Sequence, residues 1–172
     1  MGWMGSEYVM KGSIIEKYEH KYFTYMGPVL APIREIVREY NWLITECDIY
    51  WYPDKRIGNP NYDWLPGDVL LEIVERYDIQ FVWGVFSAIP KDVPLEQVLL
   101  GDAAGSLPCA DGNGDFWELP VSIQHPLAEI EIVAFDSSLT LIISKHDALI
   151  DKWAAAFPHS EDLEAYITKF AK

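Results

Sequence analysis

The chain has 172 residues, half of them hydrophobic, and 27 acidic residues against 13 lysines and arginines give it a net charge of −14. This length and composition are typical of one folded domain and exclude a disordered acidic tail. The charge disfavours binding to nucleic acids or anionic membranes, and the apolar runs are too short for a membrane-spanning helix of about 20 residues.

The first quarter of the chain predicts a strand, a helix and a second strand. Residues 12–27 mix polar and aromatic side chains and indicate an early strand or hairpin. Apolar residues at helical spacing predict a helix over residues 32–40, which Asn41 would end. Aromatic and β-branched residues predict a strand over residues 42–52. Alternate residues would form its buried face: Leu43, Thr45, Cys47, Ile49 and Trp51.

The middle of the chain alternates loops with short elements. Residues 53–67 are rich in Pro, Gly and Asn and predict a loop, and residues 68–77 predict an amphipathic helix with Asp68 as its N-cap. Residues 79–89 are almost continuously apolar, which predicts a central strand covered on both faces. One or two helical turns are expected over residues 94–100.

The C-terminal part predicts a hairpin followed by two helices. The hairpin spans residues 129–145 around a turn at residues 136–138. A helix over residues 146–157 would end before a proline, and the last helix would have Ser160 as its N-cap. The sequence therefore predicts one α+β domain of residues 1–172, with a mainly antiparallel central sheet and helices packed on it.

The acidic residues are concentrated in the middle of the chain. Residues 46–118 contain fourteen acidic and four basic residues, a net charge of −10, whereas residues 1–45 are neutral overall and residues 119–172 carry −4. Solubility alone would account for part of this charge. Its concentration also predicts attraction of a basic protein partner and faster encounter at low salt.

The long loop over residues 101–118 resembles a calcium site in part of its pattern. Oxygen-bearing side chains occupy every second position: Asp111, Asn113 and Asp115. A calcium-binding EF-hand loop also requires glycine at position 6 and glutamate at position 12, where this chain has Phe116 and Ser122. The pattern favours a flexible loop whose acids face solvent or a partner, with a looser cation site completed by Glu118 left open.

No motif predicts an enzyme, a metal centre or a cofactor. The four histidines lack metal-ligand spacing, and Cys47 and Cys109 form no C-x-x-C pair. Glu46 and Asp48 share a strand face as an acid and a base would, but exposed charges are the simpler explanation. No secretory signal is visible, so we expect two free, partly buried thiols and a cytoplasmic protein.

Aromatic residues make up 14% of the chain, and many lie among the acids of the middle segment. Exposed Tyr and Trp side chains act as anchors in protein interfaces, and carboxylates beside them pair with Arg and Lys of the partner. The residues predicted to bind a partner are Glu46, Asp48, Trp51, Tyr52, Asp54, Asp63, Trp64, Asp68, Asp111, Asp115, Trp117 and Glu118.

The segment EIEIVAFDSSLTLIISKHDALIDKWAAAFPHSEDLEAYI resembles the end of small cytosolic bacterial immunity proteins of secreted toxins. The shared pattern is an apolar strand, an Asp-Ser turn, a strand ending in Ser-Lys, a helix, Phe-Pro and an acidic DLE ending. The segment APIREIVREYNWLI resembles the same proteins more weakly. The resemblance implies a protein that neutralises a basic toxin by occluding its active site. The alternatives are a small enzyme or ligand-binding domain and an acidic nucleic-acid mimic.

Overall fold

The computed structural model describes residues 9–16, 24–100 and 107–170. Residues 17–23 of the predicted early hairpin and residues 101–106 of the long loop lie outside the described residues. Met26 and Gly27, predicted as the end of that hairpin, instead begin a helix. The strands are β1 (Lys11–Glu16), β2 (Tyr40–Ile49), β3 (Asp63–Pro66), β4 (Phe81–Pro90), β5 (Ile130–Phe135), β6 (Leu139–Ser144) and β7 (Glu161–Asp162). The α-helices are α1 (Met26–Leu30), α2 (Arg34–Val37), α3 (Gly67–Arg76), α4 (Leu95–Leu100), α5 (Asp147–Ala156) and α6 (Leu163–Phe170).

The strands of the described residues form one antiparallel sheet in the order β3-β2-β4-β5-β6-β1-β7. The predicted α+β class with an antiparallel sheet is therefore confirmed. The apolar run that predicted a central strand forms β4, which lies between β2 and β5 and is buried on both faces. The predicted hairpin forms β5 and β6, and left-handed backbone at Asp136 and Ser137 makes the tight turn between them.

The two faces of the sheet are covered by different kinds of structure. On the helix face, α1, α2, α3 and α5 pack against apolar side chains of the strands. On the loop face, α4, α6 and the segment 107–128 cover a second apolar layer. Two buried tryptophans on the helix face, Trp42 and Trp153, donate their indole N–H groups to the carbonyls of Val37 and Val29, each at 3.0 Å. These bonds remove the cost of burying an unpaired indole N–H.

The helix predicted over residues 32–40 is wrong at both ends. Helical structure begins at Met26, passes through a 3₁₀ turn at Ala31–Ile33 and ends at Val37. Pro32 interrupts the α-helix because it has no N–H to donate and its ring collides with the carbonyl four residues earlier. Asn41 does not end the helix, because it lies in β2 and pairs with Ile89 of β4.

The predicted faces of β2 are also wrong. Trp42 and Ile44, assigned to the outer face, are fully buried on the helix face. Glu46 has a φ of 55° and inserts an extra residue between Thr45 and the next paired position of the strand. This bulge shifts the alternation by one residue, so that Ile49 lies on the same face as Trp42 and Ile44.

Both predicted N-caps differ from the structure. Asp68 lies in the first turn of α3, and Pro66 occupies the N-cap without a side-chain bond. At α6 the capping carboxylate belongs to Asp162, which accepts the N–H of Ala165 at 3.0 Å, whereas the Ser160 hydroxyl bonds back toward α5. The chain between Ser160 and α6 is occupied by β7, which moves the helix start beyond the reach of that serine.

A buried carboxylate fixes the segment 121–128 to the centre of the loop face. Both oxygens of Glu131 accept hydrogen bonds, from the N–H groups of Gln124 (2.7 Å) and His125 (3.0 Å) and from the hydroxyl of Ser87 (2.9 Å). The His125 Nε2 lies 3.0 Å from the carbonyl of Val98, so it carries the proton and donates it. Burial raises the pKa of Glu131 to about 7, against the opposing effect of these hydrogen bonds.

This raised pKa predicts a specific pH dependence of stability. The unfolded carboxyl titrates near 4.5, so the contribution of Glu131 is full below that pH and is lost as the pH rises through about 7. The free energy of unfolding of the wild type, relative to Glu131→Gln, should fall by about 2 kcal/mol between pH 5 and pH 8. Urea unfolding at each pH measures this difference. The control variant Leu100→Ala removes an exposed side chain that does not titrate, so its stability difference from the wild type should not depend on pH. A pH-independent difference for Glu131→Gln would contradict the assignment.

Candidate partner interface

Three consecutive aromatic residues lie exposed immediately after β2. The exposed fractions of Tyr50, Trp51 and Tyr52 are 76%, 50% and 57%, and we name these residues the aromatic tip. The other large hydrophobic residues exposed in the described chain occur singly: Val9, Leu100, Leu119 and Phe170. Single exposed apolar residues are ordinary on a protein surface, whereas a contiguous aromatic patch indicates an interaction site.

Neighbouring residues hold the aromatic tip in place. The ring of Trp51 meets the ring of Tyr77 edge-on, with centroids 6.0 Å apart, and the guanidinium of Arg76 lies 5.3 Å from the Tyr77 centroid. The ring of Tyr52 lies against the backbone of Gly58, whose φ is 87°. A Cβ at that position would stand 2.3 Å from the ring, so both the backbone angle and the close contact require glycine.

Asp63 organises the loop beneath the aromatic tip. Its side chain is buried, and its oxygens accept the N–H of Gly58 at 2.7 Å, the N–H of Asn59 at 3.1 Å and the side-chain amide of Asn59. These bonds compensate the desolvation of the carboxylate. The structure therefore places Asp63 inside the loop that supports Tyr52 and leaves it no exposed surface for a partner.

Asp54 is paired within the same loop. Its carboxylate forms an ion pair with Arg56 at 2.7 Å, and Arg56 also reaches Glu72 of α3 at 3.1 Å. Hydrogen bonds from Arg56 lower the pKa of Asp54 to about 2. The loop is thereby joined to α3 at the side of the aromatic tip.

Glu46 fastens the acidic loop, which we define as residues 107–118, to β2. Its carboxylate accepts the N–H of Ala110 at 2.6 Å and the N–H of Asp111 at 3.1 Å. Beside it, the hydroxyl of Thr45 donates to the carbonyl of Pro108 at 2.6 Å. Hydrogen bonds to a carboxylate, such as those of Glu46, are about twice as strong as neutral ones. The β-bulge at Glu46 therefore holds the acidic loop to β2.

The alternating Asp-Asn-Asp pattern forms a turn in the acidic loop. The side-chain amide of Asn113 donates to the carbonyl of Cys109 at 3.1 Å, and its oxygen accepts the N–H of Asp115, also at 3.1 Å. These bonds satisfy the side chain of Asn113 locally and explain its position between two acids. Across residues 9–16, 24–100 and 107–170, no group of three or more His, Cys, Asp or Glu is arranged to hold a metal ion.

Both cysteines are free and partly buried, as predicted. Burial, together with the nearby carboxylates of Asp63 and Asp48, raises the pKa of the Cys47 thiol to about 12. A thiol with such a pKa stays protonated at neutral pH and is a poor nucleophile.

Five aromatic rings form a continuous chain across the loop face, which we name the ring chain. Successive centroids are separated by 4.7 Å from Trp83 to Phe135, 5.1 Å from Phe135 to Trp117, 6.1 Å from Trp117 to Tyr166 and 4.9 Å from Tyr166 to Phe170. Edge-on and tilted ring pairs contribute about 0.5–1.5 kcal/mol each beyond burial. The ring chain therefore ties the acidic loop and α6 to the sheet.

Four of the predicted acids are exposed at this side of the molecule. Asp48 pairs in the sheet with Trp83, at one end of the ring chain. Asp111, Asp115 and Glu118 lie exposed on the acidic loop, next to Trp117 in the middle of the ring chain. The structure thus brings together strand and loop acids that are more than 60 positions apart in sequence.

Two of the predicted residues lie elsewhere. Asp68 is in α3 near the beginning of β2, the end opposite to the aromatic tip, and its carboxylate lies 3.3 Å from the guanidinium of Arg38. Trp64 is half-buried in β3 and pairs with Leu43, so its ring packs on the loop face at the sheet edge.

Three residues of this surface are not predicted from the sequence. Strand alternation places Tyr50 on the outer face of a regular strand, although its position three residues before Pro53 is a signal that the strand is ending. The sequence predicts Tyr166 and Phe170 only as parts of a helix. Their contact with Trp117 depends on how α6 docks on the sheet, and no local pattern indicates that.

A polar cluster joins three elements at the opposite end of the sheet. The hydroxyl of Tyr40 donates to Glu129 at 2.6 Å, and Nε2 of His146 lies 3.2 Å from the same carboxylate oxygen. The hydrogen bond from Tyr40 lowers the pKa of Glu129. The cluster ties the beginnings of β2 and α5 to the residue before β5, and His146 is exposed at the N-cap of α5.

Comparison of the chain with protein-family models, curated proteins and solved structures finds no match. In the part of the chain that the structure describes, no helix is both long and apolar enough to cross a membrane.

The structure predicts that the acids of this region divide into supporting and surface residues. Glu46→Ala and Asp63→Ala each leave backbone N–H groups without an acceptor and should lower the free energy of unfolding by about 2 kcal/mol. Asp48→Ala and Asp111→Ala alter exposed carboxylates and should change it by no more than about 0.5 kcal/mol. Urea denaturation distinguishes the two pairs, and equal losses in all four variants would contradict the division.

Proposed function

We propose that this protein inhibits a basic protein partner by binding it, in the manner of a bacterial immunity protein that occludes the active site of a toxin. The observation that carries the proposal is the aromatic tip, three consecutive exposed aromatic residues within a segment of net charge −10. Tyr and Trp are the residue types that most often dominate binding energy at protein interfaces.

The charge and the aromatic residues have separate roles in this proposal. The exposed carboxylates of Asp48, Asp111, Asp115 and Glu118 attract a basic partner and orient it during encounter. Trp51 and Tyr52 then fill pockets on the partner and slow its dissociation. Affinity differences between related complexes are expressed mainly in the dissociation rate, so the aromatic residues should dominate the affinity.

Preorganisation of the surface supports the proposal. Gly58 and Asp63 fix the position of Tyr52, and Tyr77 supports Trp51 before any partner arrives. A surface that is already ordered loses less conformational entropy on binding, which raises affinity without additional contacts. Buried acids such as Asp63 therefore fix the shape of the interface, whereas the exposed acids supply its charge.

The proposal predicts that the gene immediately upstream encodes a secreted protein, and an upstream gene of any other kind counts against it. The test uses the catalytic domain of that secreted protein. The wild-type protein should bind that domain, block its toxicity in co-expressing cells and bind more weakly as salt is raised. The double variant Trp51→Ala/Tyr52→Ala should bind at least about 30-fold more weakly and fail to protect the cells.

The matched control is Leu100→Ala, which removes an exposed apolar side chain from α4, outside the aromatic tip. It should bind and protect as the wild type does. If the upstream domain is not bound, or if the double variant binds as tightly as the control, the proposed function is wrong. Binding that is insensitive to salt would contradict the electrostatic part of the proposal.

A further inference from the structure

The far end of the ring chain contains an open apolar groove. Its volume is about 320 Å³, and it is lined by Trp117, Leu139, Tyr166, Ile167 and Phe170. Three of these five residues are aromatic, and Phe170 is 69% exposed. The volume is at the lower limit for a ligand site, so the groove is suited to one long side chain.

Carboxylates adjoin two residues that line this apolar groove. In the sequence, Trp117 lies between the exposed residues Asp115 and Glu118. Glu16 accepts a hydrogen bond from the hydroxyl of Tyr166, and burial together with this bond raises the pKa of that tyrosine. The groove therefore combines ring faces with negative charge, which is the chemistry that selects a cation carried on an apolar stem.

A cation of the chain itself already lies over one of the rings. The ammonium of Lys169 is 5.9 Å from the Tyr166 centroid and pairs with Glu161. The same ring lines the groove together with Trp117, and the two ring planes are inclined at 38°. A cation–π contact therefore already exists at one residue of the groove.

We propose that the groove receives an arginine side chain of the basic partner, an inference that rests on the proposed function. A guanidinium is planar and weakly hydrated, so it stacks on aromatic faces and can donate to a neighbouring carboxylate at the same time. Its aliphatic stem packs along Leu139 and Ile167, which are the two aliphatic side chains of the lining. The Glu118 carboxylate is the acceptor closest in sequence to the Trp117 ring.

The groove and the aromatic tip belong to the same end of the sheet. The tip follows Ile49, which pairs with Phe81 at the beginning of β4, and Leu139 of the groove pairs with Phe135 at the end of β5. Strands β2 and β6 are separated by β4 and β5, so the two sites lie on the order of 15 Å apart across the sheet. An interface burying about 800 Å² per partner covers both.

The test uses a peptide of six arginines and the same peptide with citrulline at every position, which keeps the shape and removes the charge. Titration should shift the indole N–H resonance of Trp117 with the arginine peptide and leave it unchanged with the citrulline peptide. Phe170→Ala and Glu118→Gln should each weaken arginine-peptide binding about threefold to tenfold. Leu100→Ala is the matched control and should bind normally.

The outcomes separate this inference from the proposed function. If the arginine peptide shifts the Trp51 resonance but not that of Trp117, the groove inference is wrong while the aromatic tip stands. If Trp117 shifts and the upstream toxin domain does not bind, the groove is a cation site and the proposed function is wrong. Equal shifts from both peptides would overturn the role of charge in the groove.

Discussion

The left-handed backbone at Glu46 is the constraint on which the rest of this structure depends. It inserts one residue into β2 and so shifts the alternation of side chains by one position. Beyond the bulge, Ile49 therefore lies on the helix face and Asp48 is exposed. The same residue directs its carboxylate to the N–H groups of Ala110 and Asp111. One bulge therefore ends the regular strand before the aromatic tip and also fixes the acidic loop beside it.

The acidic residues of the middle segment serve two physical purposes. Glu46 and Asp63 are bonded to backbone N–H groups and maintain the shape of the surface. Asp111, Asp115 and Glu118 are exposed and supply its charge. A high negative charge alone would give a soluble protein, whereas this arrangement places free carboxylates beside aromatic rings whose positions are already fixed.

Local patterns predicted much of the fold and only part of the candidate site. The hairpin of β5 and β6 and the central strand β4 follow from turn chemistry and apolar runs, which are short-range signals. The bulge at Glu46 was not predictable, because a non-glycine residue adopts left-handed backbone there only with support from the acidic loop. Strand alternation places Trp51 on the buried face, which is wrong because the strand ends at Ile49 and the side chain is 50% exposed. The burial of Asp63 depends on a long-range turn of the chain.

Hydrogen–deuterium exchange of the protein with and without the upstream toxin domain shows directly which surface binds the partner. Binding should slow exchange at the backbone amides of residues 48–57 and 111–118, which contain the aromatic tip and the exposed loop acids. Exchange in α5 should not change, because this helix packs on β1 and β6 at the helix face, away from the aromatic tip. Protection confined to α5, with none at the aromatic tip, would contradict the proposed interface.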